Sequence, residues 1–229
     1  MQEEDKSVQI SQEEYRKDFS CGKAKKALEN ALEIRTFEID LYWKRSAYFW
    51  TFIAGTFAGY GALQASSSPA KTDLSVYLSC LGLVFSFGWF CANKGSKQWQ
   101  ENWENHVDML EDAENGPLYK TVLTRPEEDG AVDYVRRLIT GPAALSVSRI
   151  NQIISLFVTV LWVQLLITTL PPFSREARIN WAYVIIIALT ALTCIGFLTF
   201  GQTHTGTNRP IATRRKTEIT APPQPSEQP

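Results

Sequence analysis

The chain has 229 residues, with 23 Lys+Arg against 24 Asp+Glu and a formal net charge of −1. A balance this close to neutral excludes a dedicated nucleic-acid binder, which carries a strong basic excess. The averages, 45% hydrophobic and 21% charged, resemble a soluble domain, but four stretches of 19 residues or more hold no charged side chain. A helix needs about 20 apolar residues to cross a bilayer core of ~30 Å, so the pattern is that of a polytopic membrane protein.

Residues 1–23 form a polar N-terminal segment, expected to be frayed or partly helical. It lacks the apolar core of a signal peptide, so the first span is expected to act as the insertion signal. From Ala24, the residues Ala24, Leu28, Ala31, Ile34 or Arg35, Ile39 and Tyr42 recur at three- and four-residue steps. They predict an amphipathic helix over 24–45. No Gly or Pro separates it from span one, residues 46–65. One helix is therefore expected from about 24 to 64, roughly 60 Å long and about twice the bilayer core.

Span two covers 74–92. Beyond it, Trp99, Trp103, Val107 and Leu110 are spaced four, four and three, which makes an apolar stripe. Asn115-Gly116-Pro117 is a helix stop. The second helix is expected to reach about Glu114, with room for a bend at Gly95. Water penalises an exposed apolar stripe, so each long helix should bury its own against the other or against a neighbouring subunit. The region 93–149 thus reads as a helical collar. Within it, 126–130 reads as a turn and 131–139 as a short helix ended by Gly141-Pro142, and Ser146 or Ser148 caps span three. Span three is 150–170 and span four is 179–200. The tail, 201–229, has five prolines after Gln202 and is expected to be disordered.

Orientation follows the Lys+Arg distribution. Residues 1–45 hold nine and 93–149 hold seven, against one in 66–73 and two in 171–178. Both termini and the middle loop are therefore expected in the cytoplasm. The expected fold class is an all-α polytopic membrane protein with four transmembrane helices, the first two extended into a cytoplasmic helical collar. Spans this long and continuous do not alternate as barrel strands would.

Small residues mark helix packing. Gly55 and Gly59 lie beside Ala54, Ala58 and Ala62 in span one, and Gly82 and Ser86 lie with Ser79 in span two. Such faces let backbones approach closely, within a subunit or between subunits. Trp99, Trp103, Val107 and Leu110 are the collar interface candidates. No span contains a charge, which weighs against proton-coupled transport. Gln164, Thr159 and Thr168 are polar positions within span three. An amide in hydrocarbon needs a partner, so Gln164 either bonds another helix or lines a water-filled path. Lys44, Arg45, Lys94, Lys97 and Arg149 flank the inner leaflet and suit anionic lipid, at about 1 kcal/mol each. Tyr42, Trp43, Tyr48, Trp181 and Tyr183 read as interfacial anchors.

His106 sits among Glu101, Glu104, Asp108, Glu111 and Asp112 but has no second His or Cys at ligand spacing. It reads as part of a solvated helix face, and His204 as an interfacial residue. Cys21, Cys80, Cys91 and Cys194 show no paired spacing, so neither a disulfide nor a metal is expected. No phosphate loop, nucleophile elbow or zinc motif is present. No catalytic, cofactor-binding or metal residue is assigned, and no cofactor is expected.

Four segments together resemble the RipA family of octameric bacterial membrane proteins. They are EIRTFEIDLYWKRSAYFWTFIAGTFAGY (33–60), CLGLVFSFGWFCANKGSKQWQENWENHVDMLED (80–112), GPLYKTVL (116–123) and SVSRINQIISLFVTVLWV (146–163). The resemblance implies an inner-membrane homo-octamer and brings no established activity and no functional residue. Copies inserted by one charge rule all point the same way, which favours a single cyclic ring about the membrane normal. The expected partners are other copies of the chain and membrane lipids, with a cytoplasmic or envelope protein partner unassigned and no nucleic acid. Three functions compete. The leading one is a structural scaffold, and the second is a channel along the ring axis lined by Gln164, Thr159 and Thr168. The third is a membrane enzyme built around His106, Glu104 and Lys97.

Overall fold

A computed structural model describes residues 10–123, 139–141, 143, 145–172 and 179–202. Among them are five α-helices and no strand: α1 (Gln12–Asp18), α2 (Lys23–Ala65), α3 (Lys71–Glu114), α4 (Val147–Thr169) and α5 (Trp181–Thr199). The expected turn at 126–130, most of the short helix at 131–139, His204 and the Pro-rich tail lie outside the described residues.

The fold is built on α2 and α3, which have 43 and 44 residues. At 1.5 Å per residue each is about 65 Å long. They run antiparallel, joined across 66–70, where Lys71 Nζ donates to the Gln64 carbonyl at 2.7 Å. The buried positions of α3 include Ser75, Ser79, Gly82, Ser86, Trp89, Asn93, Ser96, Gln100, Val107 and Leu110. With half-buried Trp103 they advance by alternating steps of four and three, the 3.5-residue period of a coiled-coil seam. The seam changes character along its length. Small and polar residues fill it in the uncharged half, where lipid is as apolar as leucine and close approach holds helices together. In the charged half the polar Ser96 and Gln100 come first, and the apolar Trp103, Val107 and Leu110 then fill the end of the seam, where burial from water stabilises the pair.

Trp99 lies one position before the seam residue Gln100 and is 39% exposed, so within the subunit it flanks the interface. Gly95 does not interrupt α3: the helix passes through unbroken, with Asn93 and Ser96 buried in the seam on either side.

At the charged end, α1 folds back onto the pair. Ser11 caps it reciprocally with Glu14, accepting from the Glu14 N–H while the Glu14 carboxylate accepts from the Ser11 N–H at 2.6 Å. Cys21 and Gly22, with φ of 61° and 78°, make the reverse turn into α2. Tyr15 and Phe19 of α1 then pack on Leu28, Ala31, Val107 and Leu110, beside Trp103.

Helices α4 and α5 pack against the uncharged half of α3. Ser146 is the N-cap of α4, and Asn180 caps α5 through its side-chain oxygen. Three helices, α3, α4 and α5, are long and apolar enough to cross a membrane. α2 has the length, but Thr51, Gly55, Thr56, Gly59, Gly61 and Gln64 dilute its uncharged half.

Candidate functional site

The sequence candidates separate into three levels along the hairpin. At the uncharged level, Gly82 and Ser86 face inward. A Cβ on Gly82 would sit inside the Trp162 indole, and Ser86 Oγ donates to the Gly82 carbonyl at 2.8 Å. Trp162 is fully buried, stacked on Phe57 (centroids 4.2 Å apart) and edge-on to Tyr60. This one indole ties α2, α3 and α4 together. The glycine was the sequence signal for the slot, but nothing in the sequence named its occupant.

Ala54, Gly55, Ala58 and Ala62 are exposed on the outer side of α2, and a Cβ on Gly55 would meet nothing within 4 Å. Gly59 is half-buried, and a Cβ on it would lie 3.5 Å from Leu78. On α4, Thr159 is buried and donates to the Ser155 carbonyl at 2.8 Å. Gln164 and Thr168 are exposed. Thr168 donates to the Gln164 backbone carbonyl at 3.0 Å. The Gln164 amide has no hydrogen-bond partner among the described residues, and its expected bond to another helix is not made among them.

At the junction of the two halves lies a buried polar belt that the sequence did not reveal. Asn151 Nδ2 donates to Tyr42 Oη at 2.7 Å, and Asn93 Nδ2 donates to the Asn151 carbonyl at 3.5 Å. Tyr42 is only 4% exposed, so it ties α2 to α4 and is not an outward-facing anchor. Tyr183 is likewise buried, and its hydroxyl donates to Asp73. Trp43, Tyr48 and Trp181 are exposed.

The basic candidates divide between paired and unpaired. Lys44 pairs with Asp40 at 2.6 Å, and Arg45 reaches Glu38 at 3.8 Å and Ser96 Oγ at 3.1 Å. Lys97 lies 3.5 Å from both Glu101 and Glu104. Lys94 sits over the Phe90 ring, and Arg149 is exposed. Neither has an ion pair among the described residues.

At the charged end, His106 is not solvated as expected. Its Nδ1 lies 2.7 Å from Tyr15 Oη, with the Tyr15 and Trp103 rings 5.7 and 5.4 Å away. Burial holds its pKa below the ordinary histidine value and pushes the Tyr15 hydroxyl up. Glu111 is completely buried. Its carboxylate accepts the backbone N–H groups of Tyr119 and Lys120 at 2.7 and 3.1 Å, while Lys120 Nζ reaches Asp112 at 2.8 Å. It therefore pins the chain after the Asn115-Gly116-Pro117 turn. Arg35 lies over the Tyr119 ring and 3.9 Å from Glu104. No group of three or more His, Cys, Asp or Glu suited to a metal occurs among the described residues.

The arrangement offers extended faces and buried ties, with outward surfaces on the uncharged half that the other described residues leave uncovered. Residues 25–171 match the model of the octameric membrane protein family (8xMP). The chain belongs to this family. The matched stretch runs from the first turn of α2 to just past α4, so it includes the whole uncharged half of the hairpin and the helix tied to it. No curated protein and no solved structure matches the chain. Membership and the apolar helices make this an oligomeric membrane protein, for which the uncovered faces are the natural candidate site.

Proposed function

We propose that the chain is a RipA-like protein of the bacterial inner membrane with four spans. In this reading it assembles as a cyclic homo-octamer and acts as a structural scaffold, without a catalytic step. The carrying observation is the alignment of α2 with α3. Trp50 meets Trp89, Phe52 stacks on Phe85, and Gln64 Nε2 donates to Ser75 Oγ at 3.1 Å. Each contact lies in the uncharged half of both helices. A bilayer that holds residues 74–92 of α3 therefore also holds residues 46–65 of α2, whose small residues suit helix contact better than lipid contact. The Lys+Arg bias then directs the charged halves to the cytoplasm, where residues 23–45 extend about 35 Å as a collar.

The collar's apolar seam is closed within the subunit by Leu28, Ala31, Val107 and Leu110. Its outward surface is charged, with Trp99 as an exposed aromatic, which suits contact with a protein or headgroup partner. Lys94 and Arg149, at the junction and without an ion pair among the described residues, suit anionic lipid headgroups.

Cysteine accessibility tests the topology. Cys21 is exposed beside α1 and serves as the native reporter of the charged end. In intact cells an impermeant maleimide should spare Cys21 and label Ser68→Cys in the α2–α3 turn. Labelling of Cys21 from outside, or protection of Ser68→Cys, would overturn the four-span reading. A photo-crosslinker at Trp99 tests the scaffold: recurrent capture of one protein or lipid class is expected, and capture of nothing but self contradicts it.

A further inference from the structure

The inference rests on the octameric ring just proposed and concerns which faces close it. Two contacts set the register of α2 against α4 within one subunit. Tyr42 bonds Asn151, and Tyr60 Oη lies 3.0 Å from Thr169 Oγ1. Both pairs are 109 residues apart. The two helices therefore run parallel and in step, and the same offset sets Gly55 level with Gln164 and Ala58 level with Ile167.

Both positions point away from the subunit core. The buried face of α2 carries Ile53 and Thr56, leaving Gly55 and Ala58 outside. The buried face of α4 carries Thr159, Trp162 and Leu166, leaving Gln164 outside with Val160, Ile167 and Thr168, whose hydroxyl is satisfied by the Gln164 backbone carbonyl. An amide at this depth facing lipid alone is costly. A ring needs two different faces per subunit, because a cyclic interface beyond a dimer is head-to-tail. Rotation about the membrane normal keeps every residue at its own depth. A recess and a lone polar group on one subunit, level with each other, are then level across the boundary as well.

We infer that the small-residue face of α2 receives the outer face of α4 from the adjacent copy, with Gln164 of one subunit seated at Gly55 of the next. Gly55 and Ala58 let the neighbouring helix approach closely enough for the Gln164 amide to reach the α2 backbone carbonyls. The contact consumes the unpaired amide and covers the recess in one step, and it repeats around the ring without using α5.

Disulfide trapping tests this. Gly55→Cys and Gln164→Cys are placed on differently tagged copies lacking the four native cysteines, then co-expressed and oxidised in native membranes. A disulfide needs Cβ atoms about 4 Å apart. Mixed copies should form a covalent dimer and each single variant alone should not. A chain carrying both should give a ladder ending at eight. Ala58→Cys with Ile167→Cys, at the same offset, is the second pair should either first variant misfold. Absence of mixed dimers from both pairs in a preparation whose native mass remains eightfold overturns this interface and leaves the ring standing. Efficient self-trapping of Gln164→Cys alone also overturns it, because it sets α4 against α4. A native mass of one or two subunits removes the ring itself. In the uncrosslinked octamer, Gln164→Leu should speed subunit exchange about tenfold, one interhelical hydrogen bond being lost at each of the two interfaces that a departing subunit breaks. Unchanged exchange contradicts the role of the amide.

Discussion

Gly82→Ala should destabilise each subunit, and Trp162 should be the reason. The added methyl would occupy the space of the Trp162 indole, which is fully buried and stacked on Phe57. Overpacking of this kind costs about 1–3 kcal/mol. Trp162→Ala attacks the same contact from the other side. Lipid is as apolar as the protein interior, so little transfer energy is lost. The cavity term remains: removing roughly 140 Å³ at ~24 cal/mol per Å³ costs about 3 kcal/mol. If the two residues share one slot, the alanine methyl in the double variant enters vacated space and costs almost nothing. The coupling energy should then be about 1–3 kcal/mol. Unfolding of single and double variants in mixed micelles, followed by helical circular dichroism, measures the cycle. Equal costs of Gly82→Ala in both backgrounds would refute the slot.

Three further outcomes follow from the junction and the charged end. Glu111→Ala strands two backbone N–H groups and should cost about 3 kcal/mol locally. Trypsin should then cleave after Lys120 at least tenfold faster, and an unchanged rate would contradict the pinning role. Tyr42→Phe removes the acceptor of Asn151 Nδ2 and should lower stability by about 1 kcal/mol, whereas Tyr48→Phe, on an exposed residue, should do nothing. Burial lowers the His106 pKa below 6.5, so the docked state binds fewer protons than the undocked one. Its contribution is present above that value and lost as pH falls through and below it. Protection factors of residues 12–19 against hydrogen exchange, referred to the intrinsic rate at each pH, should therefore fall between pH 7.5 and 5.5, and His106→Gln should flatten the profile. A pH-independent protection factor in the wild-type chain would contradict the contact.

Helix ends were legible because their chemistry is local. The α3 stop is set by Asn115-Gly116-Pro117 and the α4 start by Ser146. The seam was legible only in part. Small residues marked Ser79, Gly82 and Ser86 and an apolar stripe marked Trp103, Val107 and Leu110, but the buried polar positions Ser75, Asn93, Ser96 and Gln100 carry no apolar signal. The two small-residue faces look alike in sequence and differ only through what meets them: Trp162 covers Gly82, and nothing among the described residues covers Gly55. Ties such as Tyr42 to Asn151, 109 residues apart, leave no periodic trace. Tyr15 and His106 escaped notice for the same reason, since a short capped helix folds back across a turn with positive φ at Cys21 and Gly22.

The central claim is that these subunits close into one ring of eight. Native mass spectrometry of the full chain released from lipid nanodiscs tests it most directly. The account predicts a single species at eight times the 25.9 kDa chain mass, persisting across mild lipid compositions. A monomer or dimer under all of them would contradict the ring and its interface.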